Sequence, residues 1–265
     1  MGILEGQVAV VTGAGRGFGQ AIAERLAAEG ADVALLSRSL VQLDEVADGI
    51  RAAGGKAIGV RCDVTDPASI DHAIDKVEEL LGPVDLLVNN AGVPGPFGPI
   101  WEVDPDEWWK AQAVHIRAPM LFLARLLPGM IERGRGRAIC VSAIASRLVA
   151  PNLSAYCTGK IAQNRIVAEA AAETAGTGVA VFAIDPGFVF TALARQTMES
   201  ADAQKHLGGM VERLRKAEND PAAQEDLARC AQRVLDLASG KYDALSGNYY
   251  ELPDDLDAEL AKAKP

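Results

Sequence analysis

The sequence predicts a doubly wound α/β fold with a parallel central sheet, and three observations carry that prediction. Short β-branched runs alternate with longer amphipathic segments through most of the 265 residues. A glycine-rich turn follows the first run and opens the first amphipathic segment. No linker, repeat or low-complexity tract divides the chain, so 1–265 reads as a single domain. Strict alternation of strand and helix implies right-handed crossovers and strands covered on both faces.

The expected strands are the apolar runs 8–12, 32–37, 56–62, 84–90, 137–142 and 178–185. Their length and near-continuous apolar character suit buried parallel strands. Helical periodicity occupies 19–30 and 66–82, the latter with Asp66 placed to cap a helix that begins at Pro67. The alternation breaks at 191–216, a helical excursion of mixed polarity that no strand follows. It reads either as a lid over a site near the strand ends or as a surface helical hairpin. A short strand within 246–252 resumes the pattern, and an acidic, alanine-rich tail closes it at 265.

The balance of 26 basic and 36 acidic side chains gives a formal charge of −10. Nucleic acid and anionic membranes both select basic surfaces, so neither is an expected partner. Cys62, Cys140, Cys157 and Cys230 show no CxxC or Cys/His spacing, so no metal site is expected and free thiols in a reducing compartment are. The N-terminus runs directly into a strand pattern without a basic leader, and no membrane span is evident. The cytoplasm is the expected location.

Between the first strand and first helix, the stretch "TGAGRGFG" places Gly13, Arg16, Gly17, Phe18 and Gly19. Glycines there let the backbone turn sharply and approach a pyrophosphate, while the helix N-terminus supplies unpaired N–H groups. The predicted fold is therefore Rossmann-like and its ligand a dinucleotide. At the end of the second strand, an acidic side chain would bond a ribose 2′-hydroxyl and repel a 2′-phosphate. Here the sequence has Ser37 followed by Arg38, and Arg16 lies within reach of the same region. Two guanidinium groups and no carboxylate favour NADP(H) over NAD(H).

Tyr156 and Lys160, four residues apart, share one helix face. Together with "TGAGRGFG" (12–19), "NNAG" (89–92), "CDV" (62–64) and "DPGFVFT" (185–191), they make the chain resemble the short-chain dehydrogenase/reductase family from about residue 6 to residue 252. The resemblance implies that Asp63 and Val64 flank the adenine and that Asn90, Ala91 and Gly92 pack beside the cofactor's ribose and phosphates. It implies that Pro186 and Gly187 shape the nicotinamide pocket, that Val189 bonds the carboxamide, and that Thr191 reaches the phosphates or carboxamide. Tyr156 would be the general acid or base. Lys160 would hold the nicotinamide ribose and lower the Tyr156 pKa.

Two positions depart from the family's pattern. The family has a serine thirteen residues before the tyrosine, and that position is Ala143, either a natural divergence or a Ser→Ala change. Ser142 stands next to it but faces the opposite way on an extended backbone, so it could replace the missing hydroxyl only at a bulge. The family's asparagine is replaced by His115, read either as a packed helix residue or as a proton relay with a midpoint near its ordinary value of about 6.5.

The expected pocket walls are Phe97, Trp101, Leu148, Val149, Phe188, Phe190, Leu193 and Met198, with Arg147 or Arg195 available to an anionic group. Apolar walls suit a hydrophobic or aromatic small-molecule substrate. The resemblance also implies that apolar faces around 104–132 and 154–176 pair two copies in a dimer or tetramer. The leading expectation is an NADP(H)-dependent oxidoreductase acting on a secondary alcohol or ketone. Two alternatives stay open: a cofactor-binding sensor or scaffold with little turnover, and a non-redox isomerase or lyase using Tyr156 and Lys160.

Overall fold

The apolar runs form strands close to their expected bounds: β1 (Val8–Thr12), β2 (Asp32–Ser37), β3 (Lys56–Arg61), β4 (Leu86–Asn89), β5 (Gly136–Val141) and β6 (Val179–Ile184). The structure is a computed structural model that describes residues 2–218 and 220–263. Among these residues the expected C-terminal strand contracts to β7 (Tyr249–Tyr250). The strands make one parallel sheet in the order β3-β2-β1-β4-β5-β6-β7. The order reverses between β1 and β4, which opens a crevice at the carboxyl ends of these strands, where such sheets bind ligands.

The helices are α1 (Gly17–Ala28), α2 (Leu40–Ala52), α3 (Pro67–Leu81), α4 (Pro105–Gln112), α5 (Ala118–Glu132), α6 (Ser154–Glu173), α7 (Ala192–Glu199), α8 (Ala201–His206), α9 (Gly208–Ala217), α10 (Pro221–Ala238) and α11 (Leu256–Ala263). Asp66 caps α3 as expected, its carboxylate accepting the Ala68 N–H at 3.0 Å. The excursion at 191–216 resolves into the three short helices α7, α8 and α9.

Side chains alternate across the strands and build two cores. Ala9 and Val11 face the layer of α1, α2 and α10, while Val8 and Val10 face α3, α5 and α6. This two-sided burial is why the strand runs read as continuously apolar. The run Pro105–Glu132 is long and apolar enough by length and composition to cross a membrane. Its buried stripe, Phe122, Leu123, Leu126 and Met130, packs into the second core.

Candidate active site

β1 delivers Thr12 to the crevice, and its buried hydroxyl fastens two strands together there. Thr12 Oγ1 accepts the N–H groups of Asn90 (2.9 Å) and Ala91 (3.0 Å). Asn90 answers with its side-chain amide, which donates to the carbonyls of Thr12 (2.9 Å) and Gly13 (3.3 Å). Asn90 therefore braces the glycine-rich turn from behind. Gly13 (φ 64°) and Gly17 (φ 58°) occupy the left-handed region. A Cβ at Gly19 would stand 2.3 Å from the Gly13 carbonyl oxygen, so only glycine lets α1 start this close to β1. The residue ahead of α1 is Arg16, which makes no side-chain cap, so no side chain occupies the N–H groups of its first turn. That is an anion-binding arrangement, and it lies on a cavity of about 540 Å³.

Arg16, Ser37, Arg38, Asp63 and Val64 line one end of this cavity. Arg16 and Arg38 are exposed, and neither forms an ion pair among the described residues. The Asp63 carboxylate accepts the Thr65 N–H (2.9 Å) and hydroxyl (2.7 Å). Those bonds, helped by the charges of Arg38 and Arg61, hold its pKa below the usual carboxylate range.

Tyr156, Lys160, Gly92, Pro186 and Thr191 line the other end. Thr191 caps α7 through the Ala194 N–H, and its side chain lies against Gly17. Gly187 takes φ 84° in the turn after β6, and Val189 is buried just beyond it. Lys160 Nζ lies 5.5 Å from the Tyr156 ring centroid and donates to the Val141 carbonyl (2.8 Å) and to Gln163 Oε1 (3.2 Å). Burial lowers its pKa to about 8. The expected lowering of the Tyr156 pKa is not what this arrangement produces. Burial, reinforced by the charges of Asp185 and Cys157, raises the phenol instead.

His115 sits in a single π-helical turn, Ala113–Arg117, between α4 and α5, and such turns recur at functional sites. It is fully buried, with its ring edge-on to Tyr156 at 5.5 Å and packed over Gly159, where a Cβ would come within 2.6 Å of it. Its Nε2 lies 2.8 Å from the Val93 carbonyl. A carbonyl only accepts, so Nε2 carries the proton and Nδ1 is a buried acceptor without a partner. The expected midpoint near the ordinary histidine value is corrected: burial, with the Lys160 charge, pulls the pKa down to about 3.

The low pKa makes a stability prediction. The native ring stays neutral while the unfolded ring protonates below about 6.5, so the unfolded chain binds more protons in that window. The stability His115 contributes is complete above pH 6.5 and lost as pH falls toward 3. His115→Asn is expected to flatten the urea-unfolding stability profile between pH 6.5 and 4, by about 3 kcal/mol at the acid end. An unchanged slope in the variant would show that the buried ring protonates as readily as a free one.

Ser142 is also corrected as a stand-in for the missing serine. Its buried hydroxyl donates to the Lys160 carbonyl at 3.1 Å and is committed to α6. Ala143 is extended (φ −171°) and buried, and no bulge turns Ser142 into its place.

Around Tyr156 the structure gathers an apolar cluster of Phe97, Leu153, Ala203 and Val211, with Met198, Leu207 and Met210 against it. Phe97 and Met198 belong to this cluster and do not line the cavity of about 540 Å³, whereas Leu193 does. Trp101 (81% exposed), Leu148 and Val149 (97% exposed) point to solvent. Phe188 and Phe190 lie under the guanidinium groups of Arg213 and Arg195. Arg195 also pairs with Glu218, and Arg147 pairs with Glu251 over the Tyr249 ring, so both arginines already have carboxylate partners.

Of three polar residues beside the site, Thr12 opens the glycine-rich motif, whereas Gln112 and Gln163 belong to none of the motifs. The one available signal is a polar residue on the buried stripe of a helix, which Gln163 gives on α6 and Gln112 on α4. Among the described residues no cluster of His, Cys, Asp or Glu is placed to hold a metal ion.

A parallel sheet with a glycine-rich turn, a braced Asn90 and a Tyr156–Lys160 pair on one cavity define a dinucleotide-dependent oxidoreductase architecture. The family model for short chain dehydrogenase matches residues 7–202. A short chain dehydrogenase of Pseudocercospora fijiensis is 36% identical over 269 residues, covering 99% of this chain and 85% of that protein. An NAD+-bound xylitol dehydrogenase superposes with a TM-score of 0.81 at 27% identity, covering 94% of this chain and 98% of the other. A metagenomic short-chain oxidoreductase in complex with NADP is 40% identical with a TM-score of 0.67, covering 71% of this chain and 85% of the other. The chain belongs to the short-chain dehydrogenase/reductase family and is an enzyme of that oxidoreductase class.

Proposed function

We propose that this enzyme uses NADP(H) to interconvert a hydrophobic secondary alcohol and its ketone. The observation that carries the reading is one cavity lined at one end by the unpaired Arg16 and Arg38 and at the other by Tyr156 and Lys160. The glycine-rich turn and the uncapped start of α1 would hold the pyrophosphate, Asp63 and Val64 the adenine, and Lys160 the nicotinamide ribose. Bound there, the nicotinamide supplies or takes the hydride. Tyr156 Oη gives its proton to the carbonyl oxygen in reduction and removes the alcohol proton in oxidation. A phenol pushed up by burial favours the protonated, donating form. The apolar cluster over Tyr156 excludes water and matches an uncharged substrate body.

The cofactor preference is tested by binding. Arg16→Ala with Arg38→Ala is expected to weaken NADPH about 10- to 100-fold, the worth of one or two charge-assisted bonds, and to leave NADH within about threefold. Equal losses for both cofactors would assign these arginines to the shared part of the dinucleotide. Substrate class is tested by NADPH oxidation across apolar and polar ketones. Ala143 favours a second reading, a cofactor binder with little turnover, and tight NADPH binding without oxidation on any ketone would select it.

Trp109, Met120 and Ile161 stay exposed on α4, α5 and α6, which supports pairing of two copies across those helices. Free thiols, three of them buried, support a reducing, cytoplasmic setting.

A further inference from the structure

An ammonium carries three donors and no acceptor, so a buried one is settled by what surrounds it. Lys160 is 3% exposed. One donor reaches Val141 O at the end of β5, and a second reaches Gln163 Oε1, one turn further along α6. Gln163 is 1% exposed and continues the buried stripe Gly159, Lys160, Val167 and Ala170. Simple packing would place an apolar side chain there, because a buried amide costs free energy unless it is bonded. Its oxygen is bonded to Lys160. Beyond it lies a small cavity of about 10 Å³, bordered by Gln163, Asn89 and Cys140.

We propose that Gln163 is a positioning residue of this site: it holds the Lys160 ammonium against the end of β5 and leaves one donor for the cavity that Lys160 lines. The inference rests on the reading of Lys160 as the group that meets the cofactor ribose. Gln163 acts through Lys160 and touches no reacting atom. Its amide oxygen favours the charged form of the ammonium, opposing the desolvation that depresses it. The other titratable groups facing Lys160 are Cys140 on β5, Asp185 after β6, His115 on the π turn and Tyr156 on α6. Cys140 is a thiol pushed up to about 11 and His115 is neutral near pH 7, so neither supplies charge there.

The test follows the Lys160 Nζ resonance by NMR as pH rises, in the full chain without cofactor. Wild type is expected to titrate near 8. Gln163→Met, of similar volume, is expected to lower that midpoint by about one pH unit, and Gln163→Glu to raise it by about as much. The opposite signs separate charge stabilisation from loosened packing, and the near-isosteric Gln163→Glu decides the matter should Gln163→Met not fold. Gln163→Met is also expected to weaken NADPH about fivefold at pH 8 with little change at pH 6, where the ammonium stays charged in both proteins. Midpoints within about 0.3 of wild type in the folded variants would overturn the proposal. Shifted midpoints with no ketone reduced would uphold it and defeat the functional reading. Unshifted midpoints with brisk turnover would do the reverse.

Discussion

Tyr156→Phe is expected to lower ketone reduction by about 1000-fold or more while NADPH affinity stays within about threefold. The substitution removes one oxygen and keeps the ring that packs edge-on to His115 and joins the apolar cluster of Phe97 and Leu153. Packing and the cavity are therefore retained, and the proton on Oη is what goes. General acid–base catalysis by a positioned side chain is worth about 100- to 10,000-fold, and the neighbouring Ser142 does not replace it, because its Oγ is bonded to the Lys160 carbonyl. Stopped-flow or steady-state NADPH oxidation, with cofactor binding followed by fluorescence, checks both halves. Turnover surviving within tenfold of wild type would move the proton donor elsewhere. A collapse of NADPH affinity alongside turnover would make Tyr156 a binding residue first.

Ala143→Ser is expected to act in the opposite direction, raising turnover by about 100- to 1000-fold, the usual worth of one donor to a developing oxyanion. The backbone at this position is held on both sides. The Ala143 carbonyl accepts the Ser146 N–H at 2.9 Å, and the following N–H, from Ile144, bonds Asp185 Oδ1 at 2.9 Å. An added hydroxyl would therefore enter an ordered, buried turn with Ser142 directed to the other face. The measurement is kcat for both proteins on the same ketone. If Ala143→Ser leaves kcat within about threefold of an already active wild type, the substrate supplies its own activation and the serine position is dispensable in this chain.

The two experiments are informative together. A large loss at Tyr156 with a large gain at Ala143 describes a proton-transfer site lacking one donor. Loss at Tyr156 with no gain at Ala143 describes a complete site of a different design.

What could be read from the sequence was local. Strand runs, the Asp66 cap, the glycine turn at Gly13, Gly17 and Gly19, and the Tyr156–Lys160 spacing each depend on residues within a few positions of one another, so a periodicity or a short motif reveals them. The parallel, doubly wound character of the sheet followed from the alternation, because parallel crossovers leave few topologies, but the order β3-β2-β1-β4-β5-β6-β7 came from the folded sheet. The departures at Ala143 and His115 were also visible, since a motif in register exposes a missing member.

The tertiary structure decided what those side chains do. His115 belongs to the π turn near the start of α5, yet its tautomer is set by the Val93 carbonyl, 22 residues away, and its pKa by burial against Gly159 and the charge of Lys160. Ser142 loses its candidacy to a carbonyl 18 residues on, and Trp101 and Val149 turn outward where apolar character alone predicted a pocket wall. Gln163 becomes meaningful only when α6 packs on β5 and brings its amide to a buried ammonium. Sequence spacing records which groups share a helix face or a turn. Desolvation, hydrogen-bond direction and exposure belong to contacts between distant segments, and those exist only once the chain has folded.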